Sequence, residues 1–542
     1  MYICTGDDLL LTRNAAEEAV RGILASSPPA SGWIRTRFDT LLEEDVRETV
    51  ERLRYAWDDA ELPLADLLVE PGAKPRRRVS AQQAAEDVER LFYLLSHGYS
   101  GYGFFDQEGE FDRAEARTLE ALATRSDWTV DDLASLIREH LGFVTDCHLK
   151  IGDIRYADHR DFWHDTTLEV VPGDGGYGVT VDGVRHTLEK VNGQDPESYL
   201  YPSLNANGEP IYRLGTLSEP EPVPLAMEVV GSGGQQRQVE IPLQRSDFVY
   251  YSDDRFREDT LGGIPVVRIR SFADEPTDPV TRFVETARTH REAPVVVVDI
   301  RGNGGGNEAW PNRWIQALTG RSPSSVFVFG ELNSKTTMAG RANLFAQLQD
   351  QVPDSAFFRQ ELNRFTKSAQ AFEEGSRQPG WTGPIYPRLP LIPNDTTVVI
   401  VMNGLVASAG EGMVMRASQA ENVVLVGENS MGCLHFGNVS DHQLPHSRLS
   451  VRMPINAGLF PDMAFREEVG IRPDFWVPAA DAVNYAVAAV RAGTITTQQP
   501  LSPSTLQQPF VPEGTWAGLK QETVIRWLVT AAVTAAGAVW AY

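Results

Sequence analysis

Cysteine is scarce in this chain, whose 542 residues include only Cys4, Cys147 and Cys433. An odd number of cysteines at such wide spacing is neither a disulfide framework nor a zinc-binding motif. Basic residues are also in deficit, with 49 lysines and arginines against 74 aspartates and glutamates, which gives a formal net charge of −25. Such a charge argues against a nucleic-acid partner and against binding to anionic membranes.

Long hydrophobic runs are missing as well. The amino terminus has no basic segment followed by an apolar one, so no secretory signal is recognised. Residues 527–542 are uncharged, but these 16 residues fall short of the roughly 20 that span a bilayer. The sequence therefore predicts no stable membrane insertion and a cytoplasmic protein. An exported form whose signal has been removed is the alternative.

What the chain does contain is the composition of a globular protein, 42 % hydrophobic and 9 % aromatic. Its length predicts several domains. Residues 1–155 show apolar positions at helical intervals, and residues 160–248 show short strands between Gly, Asp and Pro turns. Residues 249–492 alternate strands and helices, which indicates an α/β domain, and the long irregular insertion at 333–393 is typical of a lid. Residues 493–542 are interpreted as a linker and an apolar tail.

A serine lies at a strand-to-helix turn in the second half of the chain. The apolar run at 397–402 ends in Asn403-Gly404, and Ser408 follows just before a helix-like segment. A strand end holds a hydroxyl in place, and the free N–H groups of a first helical turn can stabilise an oxyanion. Serine is also a favoured helix-capping residue, so this stretch alone leaves both a nucleophile and a cap open.

A glycine cluster follows another apolar strand, at Gly302, Gly304, Gly305 and Gly306. It lacks the GK[ST] ending of a phosphate-binding loop and the spacing of a dinucleotide site, so neither is predicted. Glycines at a strand end let backbone N–H groups approach a ligand oxygen, which an oxyanion hole requires. Taken alone, the cluster is explained better by a tight turn between strand and helix.

Four segments occur in a characteristic order along the chain. They are VVVVDIRGNGGG, ASAGE with Ser408, VGENSMG at 426–432 and EEVGIRPD at 467–474. Together they resemble the tail-specific, or C-terminal processing, serine protease superfamily. The resemblance implies a multi-domain α/β protein with a crotonase-like catalytic domain. Separately, the short strands at 160–248 resemble a PDZ-like peptide-binding module.

The same resemblance implies the chemistry of the site. It makes Ser408 the nucleophile and Ala409, Gly305 and Gly306 the candidate oxyanion donors. The implied substrate is a peptide or protein, which the enzyme would hydrolyse through an acyl-enzyme. Neither a metal nor a cofactor is implied.

One departure from the family pattern bears on the general base. Cys433 stands where members of the Ser-Lys type carry a lysine, and a thiol cannot replace that base. Relatives such as the tricorn protease and the chlamydial protease-like activity factor instead use a histidine from an N-terminal Asp-x-His segment and a glutamate from the last motif. Those positions here are His148, two residues after Asp146, and Glu467. The resemblance therefore implies a triad of Ser408, His148 and Glu467.

Other assignments stay open. His435 lies two residues after Cys433 and is the alternative base, whereas Glu411 is interpreted as compensating the helix dipole. A catalytically silent relative would bind peptides in the same groove. An acyl-transferring peptide cyclase or ligase would share the acyl-enzyme. The sequence is also compatible with a homo-oligomer.

Overall fold

The computed structural model describes residues 62–69, 72, 74–106, 108–173, 176–246, 254–323, 328–385, 391–460 and 465–496. The predicted apolar tail at 527–542 and nearly all of the linker before it lie outside these ranges. Within them, no helix combines the length and the apolarity needed to cross a bilayer.

The α-helices of the described residues run as follows: α1 Leu64–Leu67, α2 Ala81–Gly98, α3 Tyr102–Phe105, α4 Glu110–Leu122, α5 Val130–His140, α6 Asp278–His290, α7 Ala309–Thr319, α8 Lys335–Gln351, α9 Ala356–Glu373, α10 Ala409–Ala417 and α11 Ala482–Ala492. Short 3₁₀ helices occupy Pro196–Tyr199 and Ala479–Asp481.

The strands of the described residues are β1 Arg78–Ser80, β2 Asp127–Thr129, β3 Asp146–Ile151, β4 Ile154–Tyr156, β5 Asp161–His164, β6 Val170–Gly173, β7 Gly176–Val181, β8 Val184–Val191, β9 Leu200–Leu204, β10 Pro210–Ser218, β11 Leu225–Gly231, β12 Gln236–Ile241, β13 Gln244–Arg245, β14 Phe256–Leu261, β15 Ile264–Ile269, β16 Val295–Asp299, β17 Val328–Asn333, β18 Gly380–Ile385, β19 Thr397–Met402, β20 Val423–Gly427, β21 Phe436–Gln443, β22 Ser450–Leu459 and β23 Phe475–Trp476.

The N-terminal helices are amphipathic, and their start signals are visible in the sequence. Before α2, Ser80 Oγ accepts a hydrogen bond from Gln83 N at 3.2 Å, and the Gln83 side chain accepts one from Ser80 N at 3.1 Å. This reciprocal pair is a capping box, which satisfies two N–H groups that a helix start would otherwise leave unpaired. The apolar face of α2 shares a core with Phe436 and Met453 from the C-terminal strands.

Strand β3 of the N-terminal region pairs with C-terminal strands in one sheet. The order of this sheet is β18-β17-β22-β3-β4, and β21 also pairs with β22. β3 runs antiparallel to β22, with Ile151 opposite Val451 and Lys150 opposite Arg452. Segments some 300 residues apart in sequence are thereby hydrogen-bonded neighbours.

The region that the sequence predicts to be β-rich forms an antiparallel sheet. Its order is β12-β11-β8-β7-β6-β10-β5-β13, with β9 on β10. β11 alternates buried and partly buried residues, as expected for a strand with one face on a core. Met227 and Val229 of β11 belong to that core. The likeness of this module to a PDZ domain stays a prediction.

The α/β region is built on a six-stranded sheet with the order β14-β15-β16-β19-β20-β23. All of its pairings are parallel except that of β14 with β15. β16 and β19 are buried along their whole length because helices cover both faces, with α6, α7 and α10 on one side and α11 on the other. The predicted multi-domain α/β class is confirmed.

The expectation of an irregular insertion at 333–393 is wrong. Most of this segment consists of α8 and α9, which pack on each other with the rings of Phe345 and Phe365 stacked at 5.5 Å. α8 begins at the cap residue Ser334, whose Oγ accepts from Thr337 N at 3.1 Å. The first half of α8 is buried on all sides, so it shows no apolar stripe in the sequence. A lid function for the segment stays a prediction.

Asp299 fixes the end of β16, from which the glycine cluster departs. The side chain is fully buried and receives Arg301 at 2.8 Å, Arg270 at 2.9 Å and Arg268 at 3.1 Å. Burial alone would raise the pKa of Asp299, but hydrogen bonds from Arg301 and Arg270 outweigh it and hold the pKa well below its ordinary value. The carboxylate therefore stays charged in the folded protein.

Asp299→Ala is expected to lower the free energy of unfolding by about 3–5 kcal/mol, because buried arginines would lose their counter-charge. Urea unfolding at neutral pH measures the loss. Glu285→Ala is the matched control, since Glu285 pairs with Arg288 on the exposed face of α6 and should cost at most about 1 kcal/mol. Equal losses in the two variants would contradict this role for Asp299.

Because the pKa of Asp299 is depressed in the folded protein, the stabilisation from Asp299 is present above pH ~4 and fades as the pH falls further.

Candidate active site

Ser408 lies at the turn between β19 and α10, in the N-cap position of the helix. Its backbone has φ 52° and ψ −120°, a conformation that favours glycine and that costs other residues about 1–3 kcal/mol. Such strain persists only where the surroundings impose it, and it concentrates at functional sites. The turn therefore holds the serine hydroxyl in a defined position at the start of a helix.

Glu411 holds this turn against the loop that follows β20. Its Oε2 accepts from Ser408 N at 3.0 Å and from Cys433 N at 2.9 Å, and its Oε1 accepts from Gly432 N at 2.8 Å and from Ser430 Oγ. Burial raises the pKa of Glu411 to about 7, although these hydrogen bonds act in the opposite direction. The sequence analysis indicated only dipole compensation. The Ser-x-x-Glu spacing of a capping box accounts for the contact with Ser408 N, but the partners at 430–433 lie some 20 residues away and no spacing rule predicts them.

His148 of β3 reaches the serine from the other half of the chain. Its Nε2 lies 3.1 Å from Ser408 Oγ, across 260 residues of sequence. Burial lowers the pKa of His148 to about 4, and the positive charges of Arg155 and Arg452 act in the same direction. The imidazole is therefore neutral at neutral pH, which is the form that can accept a proton. Its Nδ1 is buried and has no hydrogen-bond partner among the described residues.

Glu467 lies beside the strand that carries His148. Its Oε1 accepts from Leu434 N at 2.8 Å and His435 N at 2.7 Å, and its Oε2 accepts from Cys147 N at 3.4 Å. The carboxylate thus contacts the backbone next to His148, and within the described contacts it has no hydrogen bond to the imidazole. Burial and the neighbouring Asp146 raise the pKa of Glu467.

Asp146 is a second buried carboxyl group on the same strand. It accepts from Tyr99 Oη at 2.8 Å, from His148 N at 2.7 Å and from Leu149 N at 3.3 Å. Burial raises the pKa of Asp146 to about 7, against the effect of these hydrogen bonds. Asp146 therefore shapes the backbone around His148, a role that the Asp-x-His spacing alone did not reveal.

The glycine cluster lies against the serine turn. A Cβ on Gly305 would come 2.9 Å from Ala407 O, Ala409 N and Ser408 Cβ, so only glycine fits beside the nucleophile. The Gly305 N–H, however, already donates to Asn303 Oδ1 at 3.0 Å. Of the predicted oxyanion donors, Ala409 has the more suitable position, because its N–H is in the first turn of α10.

Gly306 is in close contact with a different part of the chain. A Cβ there would come 2.2 Å from the carbonyl carbon of Phe272, at a φ of 136°. The glycine therefore allows the cluster to pack against residues 272–273. A role for Gly306 as an oxyanion donor stays a prediction.

The alternative base His435 is placed differently. Its Nδ1 lies 2.9 Å from Gly458 O, and its Nε2 accepts from Arg466 N at 2.8 Å. Both ring nitrogens therefore bind backbone groups, and the side chain is almost fully buried. This arrangement suits a structural histidine and leaves no ring nitrogen facing Ser408.

The cysteines require a correction. The sequence gives no sign of a disulfide, yet Cys147 and Cys433 are bonded across 286 residues, with a Cα–Cα distance of 5.3 Å. That distance lies within the range found for disulfides. The pairing depends on β3 and the loop after β20 meeting in the folded chain, so cysteine spacing cannot predict it.

Residues 263–477 match the sequence profile of peptidase family S41. No curated protein sequence matches the chain. Among solved structures, mature CPAF is similar at 14 % identity and a TM-score of 0.41, with 77 % of this chain and 99 % of that chain covered.

Two further structures resemble the chain. The photosystem II D1 C-terminal processing protease has 13 % identity and a TM-score of 0.35, with 75 % of this chain and 96 % of that chain covered. The tricorn protease has 14 % identity and a TM-score of 0.35, with 76 % of this chain and 37 % of the tricorn chain covered.

Proposed function

We propose that the chain, of which residues 263–477 match the profile of peptidase family S41, is a serine peptidase that cleaves peptide bonds. In this proposal Ser408 is the nucleophile, His148 is the general base and Glu467 is the carboxylate that orients the base. The observation that carries the proposal is the 3.1 Å approach of His148 Nε2 to Ser408 Oγ. The two side chains come from distant strands, so chain connectivity alone does not explain their contact.

The proposed reaction proceeds through an acyl-enzyme. Ser408 Oγ attacks the scissile carbonyl while His148 takes its proton and then delivers it to the leaving amine. Water then attacks the ester, with His148 again acting as base, and Ser408 is regenerated. The Ala409 N–H stabilises the oxyanion, and Gly305 leaves room for it.

Glu467 acts on His148 without a direct hydrogen bond to the imidazole in this scheme. Its contact with Cys147 N fixes the backbone beside the base, and in its ionised form it favours the imidazolium that forms during attack. Because the carboxylate does not reach the imidazole directly, a bridging water between Glu467 and His148 Nδ1 completes the proposal.

Active-site labelling tests the nucleophile. A fluorophosphonate probe is expected to modify the native protein on one residue, and the denatured protein should not react. Trypsin releases residues 389–416, in which Ser408 is the sole serine, and separates them from Ser418 at the other end of α10. An adduct mapped to this peptide by mass spectrometry supports the proposal. Absence of labelling in the native protein, or an adduct on another peptide, would contradict it.

A further inference from the structure

The disulfide lies where the two halves of the proposed site meet. Cys147 immediately precedes His148 on β3, and Cys433 ends the loop that Glu411 holds. The position of Cys433 is also the one at which the Ser-Lys relatives carry their base.

We propose that the Cys147–Cys433 disulfide positions the general base, so that peptidase activity requires the bond and a dithiol that reduces it switches the enzyme off. This inference rests on the proposed role of His148. It assigns to Cys147 and Cys433 a positioning function and no contact with substrate.

A short path of covalent bonds and hydrogen bonds joins the base to the nucleophile. From His148 it runs through Cys147 and the disulfide to Cys433, whose N–H donates to Glu411 Oε2 at 2.9 Å. The same oxygen accepts from Ser408 N at 3.0 Å. One carboxylate oxygen therefore joins the far end of the disulfide to the backbone of the nucleophile.

The other restraints on this part of β3 come from side chains and not from a continuous strand ladder. The ladder with β22 pairs Lys150 and Ile151, and the register with β4 is interrupted between Asp146 and Lys150. Near His148, the chain is held by the turn around Asp146 and by the 3.4 Å contact of Cys147 N with Glu467. A displacement of a catalytic group by about 1 Å can lower the reaction rate about a hundredfold. Loss of the disulfide, which would let His148 move, is therefore expected to lower the rate strongly.

The bond is also within reach of a reductant. Cys433 is 4 % exposed, whereas Cys147 is only partly buried. A thiolate of the dithiol attacks one sulfur of the bond to give a mixed disulfide and releases the other cysteine as a thiolate. The second thiolate of the reagent then attacks the reagent's sulfur in the mixed disulfide and releases the remaining cysteine. The reagent ends as a cyclic disulfide, and the two electrons and two protons that it loses yield the thiols of Cys147 and Cys433.

The experiment compares wild-type protein before and after dithiothreitol treatment and after reoxidation. Alkylation and mass spectrometry establish the redox state of each cysteine. Reduction is expected to lower kcat for a peptide substrate and the rate of fluorophosphonate labelling about ten- to a hundredfold, with KM changed less than about twofold. Reoxidation should restore both. The assay temperature is set well below the unfolding midpoint of the reduced protein, so that loss of structure does not produce the effect.

Two variants sharpen the test. The double variant C147S/C433S should have the low kcat of the reduced protein and no response to dithiothreitol, whereas C4S should respond like wild type. Full kcat in wild-type protein with both thiols alkylated would overturn the inference. So would a protein that is fully active as purified without the bond. If the oxidised wild type carries no label on Ser408, the proposed function itself fails, which is a different result.

Discussion

His148→Ala is expected to lower kcat for peptide hydrolysis by roughly 10⁶-fold, the size of effect seen when the histidine of a serine triad is removed. The neutral imidazole 3.1 Å from Ser408 Oγ is the group within hydrogen-bond reach that can take the serine proton. Without it, the hydroxyl is a weak nucleophile at neutral pH. Steady-state kinetics on a fluorogenic peptide, normalised to folded protein by circular dichroism, measures the change.

His435→Gln is the matched comparison for the base. Glutamine can replace part of the backbone hydrogen bonding of His435, so folded His435→Gln protein should keep kcat within about tenfold of wild type, although its unfolding midpoint falls. The reverse pattern, with turnover lost in His435→Gln and kept in His148→Ala, would assign the base to His435 and refute the proposed triad.

Gly305→Ala is expected to lower kcat by about 10²–10³-fold with little change in KM, a loss comparable to removal of one oxyanion donor. The new Cβ would come 2.9 Å from Ala409 N and Ser408 Cβ, at a φ of 105° that alanine rarely adopts. Either the methyl group obstructs the oxyanion position or the loop moves away from the nucleophile. Both outcomes weaken stabilisation of the transition state more than substrate binding.

Gly304→Ala is the control for this prediction. Gly304 precedes Gly305 in the same loop, no heavy atom lies within 4 Å of a Cβ built there, and its φ lies outside the left-handed region. The variant should have nearly the kcat and KM of wild type. Gly305→Ala protein with wild-type kcat would show that the oxyanion forms elsewhere.

Much of the α/β region could be predicted from the sequence because its signals are local. The apolar runs of β16 and β19 are strands buried on both faces, and the local pattern after β19 placed Ser408 at a strand-to-helix turn. The order of four motifs gave the resemblance to the family whose profile matches residues 263–477. The structure brings His148 to that serine, as the resemblance implied. The catalytic roles of these residues remain proposals.

What the sequence could not predict depends on contacts between distant segments. The buried half of α8 has no apolar stripe, so helical periodicity was invisible and the segment was expected to be irregular. Glu411 binds partners around residue 432 that become its neighbours only after folding. The sequence made Gly305 a candidate oxyanion donor, but in the structure its N–H donates to Asn303 Oδ1. The pairing of Cys147 with Cys433 likewise exists only in three dimensions.

The pairing of β3 with β22 also has a consequence for the timing of biosynthesis. A ribosome makes His148 first, and Ser408 and Glu467 follow only after some 260 to 320 further residues. At about 5–20 residues per second, that interval lasts roughly 15–60 s. During it, the nascent chain contains the proposed base and lacks both of its partners. With its proposed site divided in this way, the chain cannot cleave neighbouring nascent chains or its own unfolded segments until translation has passed Glu467.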